Sequence, residues 1–378
     1  MQQMRGFVLV LLSLLCLTCG FADDQKMYFP GDEWAAASPQ SEGVDPKRLA
    51  EAIAYLERHA PRDGVQQLMI VRRGRVIHAG PKVDEVHGIW SCTKSFTSTV
   101  LGLLVDDGKC SLDTRAARHV DALSAQYPDV TLRHFTTMTS GYRAVGDEPQ
   151  AGYVHGPSTT PFVPGEPLFA PPGSRYAYWD SAMNQFAHVL TRIAGEPIAE
   201  LFRRRIAGPI GMRAGQWKWG EFADVEGPAV NGGAGNQGRH VFISAREMAR
   251  LGHLFLNKGL WDGKRLISAG WVEQATRAQV PASVPLGHPG SAIPGPGMYG
   301  YNWWVNGVKP DGARKWPGIS AGAFSASGHN NNDLFVIPAW GLVVVRLGLD
   351  EGGEGGFSIP DETYATFLRK LGESLTVP

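Results

Sequence analysis

The run "WSCTKSF", residues 90–96, sets Ser91 three positions before Lys94 at the entry of an apolar stretch. On a helix that spacing brings both side chains to one face. A serine hydroxyl is a weak nucleophile and needs a partner to take its proton. A lysine serves only if burial or neighbouring positive charge lowers its pKa. A helix start also offers free backbone N–H groups and a positive dipole end, which favour developing negative charge. The chemistry on offer is attack on a carbonyl to give an acyl-serine. The pair alone does not establish it: 21 serines and 11 lysines in 378 residues give about 0.6 such matches by chance. The competing reading is a polar start to a core helix.

Two other clusters could complete a site. "PPGSRYAYWDSAMNQF" places Tyr178 and Asp180 at the mouth of a helix, just after a Pro-Gly turn. "FSASGHNNNDLFVIP" sets Gly328, His329, Asn330 and Asn331 directly before a strand. Other motifs compete less well. "GISAG", residues 318–322, matches a nucleophile elbow, but Trp316-Pro317 precedes it and no helix follows, so Ser320 reads as a loop serine. "NGGAGNQG", residues 231–238, lacks the Lys-Ser/Thr of a phosphate loop and reads as a flexible pocket wall. None of the eleven histidines falls in a metal-ligand spacing, so no metal and no cofactor is expected.

Taken in order, these segments resemble the serine β-lactamase and penicillin-binding-protein superfamily. The resemblance is to its branch of class C-like β-lactamases, D-Ala-D-Ala peptidases, carboxylesterases and 6-aminohexanoate-dimer hydrolases. "SCTK" matches the S-x-x-K motif. "YWD" matches Y-x-N with Asp180 in the asparagine position, and "HNN" matches H-x-G with Asn331 in the glycine position. "VTLRHFTTMTSGY", "IAGPIGM" and "GRHVFISAREMARLG" resemble further family segments, so the likeness runs over about residues 40–370. It implies Ser91 as the acylated nucleophile, with Lys94 and Tyr178 sharing proton transfer. It implies the backbone N–H groups of Ser91 and Asn332 as the oxyanion hole. Asp180, His329, Asn330 and Asn331 would face substrate. The two departures matter. A carboxylate at Asp180 could hold Lys94 charged and repel acidic substrates, and Asn331 puts a side chain where glycine is usual. Both tilt the expectation from β-lactamase toward a carboxylesterase or amidase acting on a small ester or amide. A D-Ala-D-Ala carboxypeptidase, a weak β-lactamase and a catalytically silent binding or scaffold homologue stay open.

The elements that must position these residues are legible at both ends of the chain. Asp45 and Pro46 start a helix with Leu49, Ala52, Ile53 and Leu56 on its apolar face. "VQQLMIVRRGRVIHAG" gives two strands turning at Arg73-Gly74. The helix after Ser91 carries Phe96, Val100, Leu101, Leu103 and Leu104 and stops at Gly108. The middle third is mostly helical, with a capping box at Ser244 and Glu247. Pro/Gly-rich stretches at 144–175 and 281–297 read as loops at a site's rim. "MYGYNWWVN", "NDLFVIP" and "GLVVVRLG" are strand-like, with Trp303 or Trp304 a possible pocket floor, and "DETYATFLRKLGESL" is a closing helix. The expected class is α/β (α+β), β-lactamase/transpeptidase-like. An antiparallel sheet from both chain ends (about 40–90 and 296–378) is flanked by helices, with a mainly helical region at about 91–295.

Bulk properties narrow the setting. Thirty-six basic and thirty-six acidic residues cancel, and no basic run offers the positive face that nucleic acid requires. "MQQMR" followed by "FVLVLLSLLCLTC" and "GFA" reads as a secretory signal peptide over residues 1–22, cleaved after Ala22. The expected location is therefore periplasmic or secreted, with no membrane span left after cleavage. Cys16-Leu17-Thr18 is a poor lipobox, which argues against lipid anchoring at Cys19. In the mature chain, 23–378, Cys92 and Cys110 sit at opposite ends of one helix and read as unpaired. Composition does not fix the oligomeric state.

Overall fold

The computed structural model describes residues 26–60, 62–147, 161–222, 225–235, 238–287, 293–349 and 358–376. The expected signal peptide, with Cys16 and Cys19, lies outside them. The chain opens with α1 (Pro46–His59), β1 (Gln67–Arg72), β2 (Arg75–Ala79), β3 (His87–Gly88) and α2 (Thr93–Asp106). The middle holds α3 (Leu132–Thr136), α4 (Asp180–Ala194), α5 (Ile198–Phe202), β4 (Trp217–Trp219), β5 (Glu221–Phe222), β6 (Val230–Asn231), β7 (Val241–Ile243) and α6 (Ala245–Leu256). Then come β8 (Leu260–Trp261), β9 (Lys264–Arg265), α7 (Ala269–Ala275), β10 (Trp304–Val305), β11 (Phe324–Gly328), β12 (Asn332–Ile337), β13 (Leu342–Leu347) and α8 (Asp361–Glu373).

The main sheet runs β10-β11-β12-β13-β1-β2, antiparallel throughout. Its centre joins the two chain ends, with Gln67 opposite Leu347 and Arg72 opposite Leu342. β1, β12 and β13 are buried along their whole length. Strand alternation assigns their faces. Leu334 and Val343 meet α6 at Gly252, where a β-carbon would lie 2.6 Å from each. The neighbouring Asp333 and Phe335 point the other way, onto Tyr364 of α8.

Local chemistry explains the ends. Asp45 caps α1 by accepting from the Lys47 and Arg48 amides at 2.8 and 3.1 Å, and Leu49, Ala52 and Leu56 are buried. The hairpin between β1 and β2 turns through left-handed Arg73 and Gly74, as a two-residue turn between twisted strands requires. Among the described residues no helix is long and apolar enough to cross a membrane.

Three expectations need correction. Of "MYGYNWWVN", only Trp304–Val305 forms a strand; left-handed Asn302 breaks the extended run. The middle third also carries small sheets, β3-β7-β4 among them, which were too short to show in the pattern. At Ser244 only half the capping box forms. Its hydroxyl accepts from the Glu247 amide, while the Glu247 carboxylate turns to Arg213 and Arg250.

Candidate active site

Ser91 sits on a tight 3-10 turn, Trp90–Cys92, that leads into α2. The approach is held from both sides. Gly88 pairs with Phe242 in β7, the Ile89 amide donates to the Val241 carbonyl at 2.9 Å, and the Val241 amide donates to Thr93 Oγ1 at 2.9 Å. Trp90, just before Ser91, has φ of 49°, a left-handed conformation rare for a bulky residue and found where surrounding structure enforces it. Its ring lies over His240 at 5.1 Å and edge-on to His329 at 5.0 Å.

Two glycines close on the Ser91 amide. A β-carbon on Gly235 would come within 2.6 Å of Ser91 N, and one on Gly328 within 3.1 Å. These residues need glycine because another backbone passes where a side chain would start. This corrects the flexible-wall reading of the Gly-rich segment. Gly232 and Gly233 are equally confined, by the Arg239 and Met183 carbonyls. Residues 236 and 237 lie outside the described residues.

Lys94, in the first turn of α2, brings Nζ to 2.7 Å from Ser91 Oγ and to 2.7 Å from Asp180 Oδ1. Lys94 is 1% exposed and Asp180 3%, so the pair is an ion pair away from water, and neither charge is screened as on a surface. Asp180 opens α4, where the helix dipole favours a carboxylate. Tyr178 shares a hydrogen bond with Ser91. Its ring stacks on Trp304 at 5.9 Å, and Lys94 Nζ stands 4.5 Å from its centroid. Burial, then the charge of Asp180, push the Tyr178 phenol well above its ordinary pKa, against the opposing effect of the Ser91 hydrogen bond. Tyr178 therefore keeps its proton at neutral pH.

Ser91 and Tyr178 open onto a cavity of about 580 Å³. Trp304, Met298 and Phe335 are among its apolar walls, with Lys315, Asp333 and Tyr364 among its polar ones. Trp304 thus lines the cavity, whereas Trp303 is fully buried in the core. Asp333 was not foreseen. Burial pushes its carboxyl up to about 6, against hydrogen bonds from Ser327 and Tyr364, the latter at 2.6 Å. The signal available in the sequence was one acid directly before an apolar strand run, Leu334–Ile337.

His329, Asn330 and Asn331 all reach the cavity. Asn330 and Asn331 are left-handed, with φ of 65° and 57°, so an asparagine in the glycine position has a backbone reason: asparagine tolerates that conformation better than most residues. The Asn331 side chain is also committed, its Oδ1 accepting from the Ile359 amide at 2.7 Å. Asn332 is placed differently from the others. It is fully buried in β12 and is absent from the cavity wall. Its carbonyl accepts from Cys92 Sγ and its side chain bonds His329 O and Gly348 N. The backbone that meets Ser91 is instead the end of β11, at Gly328.

The elbow-like GISAG serine stands off the cavity wall. The Ser320 hydroxyl accepts from the Gly322 amide in a turn of its own. Cys92 and Cys110 are unpaired. Among the described residues no cluster of three or more potential metal ligands occurs.

A serine that enters a helix, a buried lysine one turn on, a tyrosine from a second segment and a strand edge beside the serine amide define a class of serine hydrolase centres. The chain belongs to the Beta-lactamase family, whose pattern it matches over residues 15–357. It is similar to the 6-aminohexanoate-dimer hydrolase of Paenarthrobacter ureafaciens, 22% identical over 82% of this chain and 79% of that one. A shorter match, 30% identical over 35% of this chain and 37% of the relative, is to the D-alanyl-D-alanine-carboxypeptidase/endopeptidase AmpH of Escherichia coli K12. In fold it is similar to a family VIII carboxylesterase, with TM-score 0.64 and 16% identity over 91% of this chain and 99% of that one. The fold is the β-lactamase-like one, and the chain is a serine hydrolase of this superfamily.

Proposed function

We propose that the protein is an exported hydrolase of small esters or amides that works through an acyl-enzyme at Ser91. The observation that carries this reading is the convergence of Ser91, Lys94 and Tyr178 at the cavity. Lys94 donates to Ser91 Oγ, which leaves the Ser91 proton free to pass to Tyr178. In acylation, Ser91 Oγ bonds the substrate carbonyl carbon as its proton moves to Tyr178 Oη. In the same concerted transfer Tyr178 Oη gives its own proton to the leaving oxygen or nitrogen as that bond breaks, so the phenol stays neutral throughout. The Lys94 ammonium steadies the negative charge gathering on Ser91 Oγ. Water then attacks the acyl-serine by the reverse proton path and releases the acid. The oxyanion faces the Ser91 N–H at the helix entry, and the Gly328–His329 strand end supports a second donor better than Asn332 does. Losing one such donor costs about 2.7–4 kcal/mol of transition-state stabilisation in well-studied hydrolases.

The reading is tested by treating purified protein with a fluorophosphonate probe and locating the adduct by mass spectrometry. One adduct on Ser91 is expected, absent from Ser91→Ala, together with hydrolysis of p-nitrophenyl esters that the substitution lowers at least 1,000-fold. A folded protein with neither adduct nor turnover would point to a silent binding homologue. Faster release of D-alanine from a D-Ala-D-Ala peptide than of acid from any ester would favour the carboxypeptidase reading, to which the partial AmpH match lends support.

A further inference from the structure

We propose that Asp180 is a specificity-determining residue that turns the Ser91 centre toward acyl groups carrying no carboxylate. The proposal rests on the Ser91 acyl-enzyme reading and names its substrate class. Asp180 stands behind Lys94, off the cavity surface, and is 3% exposed. Its Oδ1 takes one Lys94 proton at 2.7 Å while another Lys94 proton goes to Ser91 Oγ at 2.7 Å. The lysine charge nearest the reacting atoms is thus already matched. An anionic substrate arriving at Ser91 meets a neutral ion pair where an asparagine at this position would leave it a cation.

The other buried charges reinforce that balance. A second carboxylate, Asp147, lies close enough to Asp180 to feel its charge, and is held by Trp179 Nε1 at 3.2 Å and the Ala144 amide at 3.3 Å. On the cavity wall Asp333 is buried. The wall's lysines face neighbouring carboxylates. Lys315 binds both oxygens of Asp361 at 2.6 and 2.7 Å and sits over the rings of Trp304 and Trp316. Lys309 lies 3.9 Å from Asp311 near the surface. The Arg346 guanidinium, opposite Asp333 in the sheet, donates to the Gly64, Asn330 and Asn331 carbonyls and offsets part of the Asp333 charge. In a low-dielectric pocket a like charge brought near a buried carboxylate is repelled far more than in water.

The test compares two esters of one leaving group, p-nitrophenyl butyrate and mono-p-nitrophenyl glutarate, which differ by a terminal carboxylate. The wild type is expected to favour the neutral ester by about 100-fold in kcat/KM. Asp180→Asn should narrow that ratio at least tenfold, and Asp180→Glu, which keeps the charge, should preserve it. Calorimetric binding of phenylboronic acid against 3-carboxyphenylboronic acid gives the same comparison if Asp180→Asn slows turnover. A ratio equal in wild type and Asp180→Asn, by turnover and by binding, overturns the proposal while leaving the acyl-enzyme reading intact. Absence of any Ser91 adduct in the wild type would instead overturn that reading itself.

Discussion

At the scale of single residues, the Lys94–Asp180 pair decides how the site tolerates change. Removing one partner of a buried ion pair leaves the other charge without compensation and typically costs about 3–5 kcal/mol, whereas replacing both by groups of similar volume can be neutral. Lys94→Met should therefore lower both chemical stability in urea and Ser91 labelling. Adding Asp180→Asn should recover most of the stability but none of the labelling. Equilibrium urea unfolding read beside probe incorporation separates the two effects. A double variant as unstable as Lys94→Met would mean that the pair's charges do not govern the loss. Ser91, Lys94, Tyr178 and Asp180 were all legible in the sequence because each carries distinctive chemistry at a fixed spacing. Asn332 lies buried in β12 and off the cavity wall, and motif position does not reveal which backbone edge turns toward the serine. Gly235 and Gly328 were missed as contacts for a related reason: a glycine needed for close approach looks the same in sequence as one needed for a turn.

At the scale of elements, the decisive junction is where β11 meets the entry to α2. A β-carbon at Gly328 would lie 2.2 Å from the Ile89 carbonyl oxygen, closer than any real contact, and 3.1 Å from Ser91 N. Gly328 is extended, with φ of −141°, so alanine there is excluded by space and not by backbone conformation. Gly328→Ala should push β11 away from the serine amide and lower kcat for ester hydrolysis by about 100-fold or more, with a smaller change in KM. Steady-state kinetics alongside far-ultraviolet circular dichroism check this. Unchanged kcat in a folded variant would remove β11 from the oxyanion site. Element types were readable wherever a strong period or a cap signal existed, as at Asp45-Pro46 and in β13. Two-residue strands such as β3 carry no period, yet β3 anchors the Ser91 turn through β7.

At the scale of the whole molecule, several buried histidines set the response to acid. Burial holds His188, His240 and His253 down at about 4, where the usual value is 6.5. The unfolded chain binds protons at these sites in a range where the folded one does not. Their stabilising effect is complete above pH 6.5 and is lost as pH falls toward 4, by up to about 2 kcal/mol each at pH 5. Asp333, pushed up to about 6, works in the opposite sense: its folded form gains as pH falls from neutral through 6. Three histidines outweigh one aspartate. The urea midpoint should accordingly be clearly lower at pH 5 than at pH 7.5, and equal or higher midpoints at pH 5 would contradict this balance. Overall architecture was the most readable level, because strands at both ends and helices between them leave few ways to close one sheet.

That sheet also fixes when the catalytic centre comes into being. β1 is made early, yet its partner in the ladder is β13, with Gln67 facing Leu347, and β11, which flanks Ser91, lies almost as late in the chain. Contacts this distant in sequence form slowly, since the intervening chain must be ordered before they stabilise anything. Throughout most of synthesis Ser91 has neither its strand edge nor a completed sheet beneath it. On the proposed acyl-enzyme reading, reactivity at Ser91 arrives with the last strands, and a nascent chain carries the serine without the surroundings that would let it react.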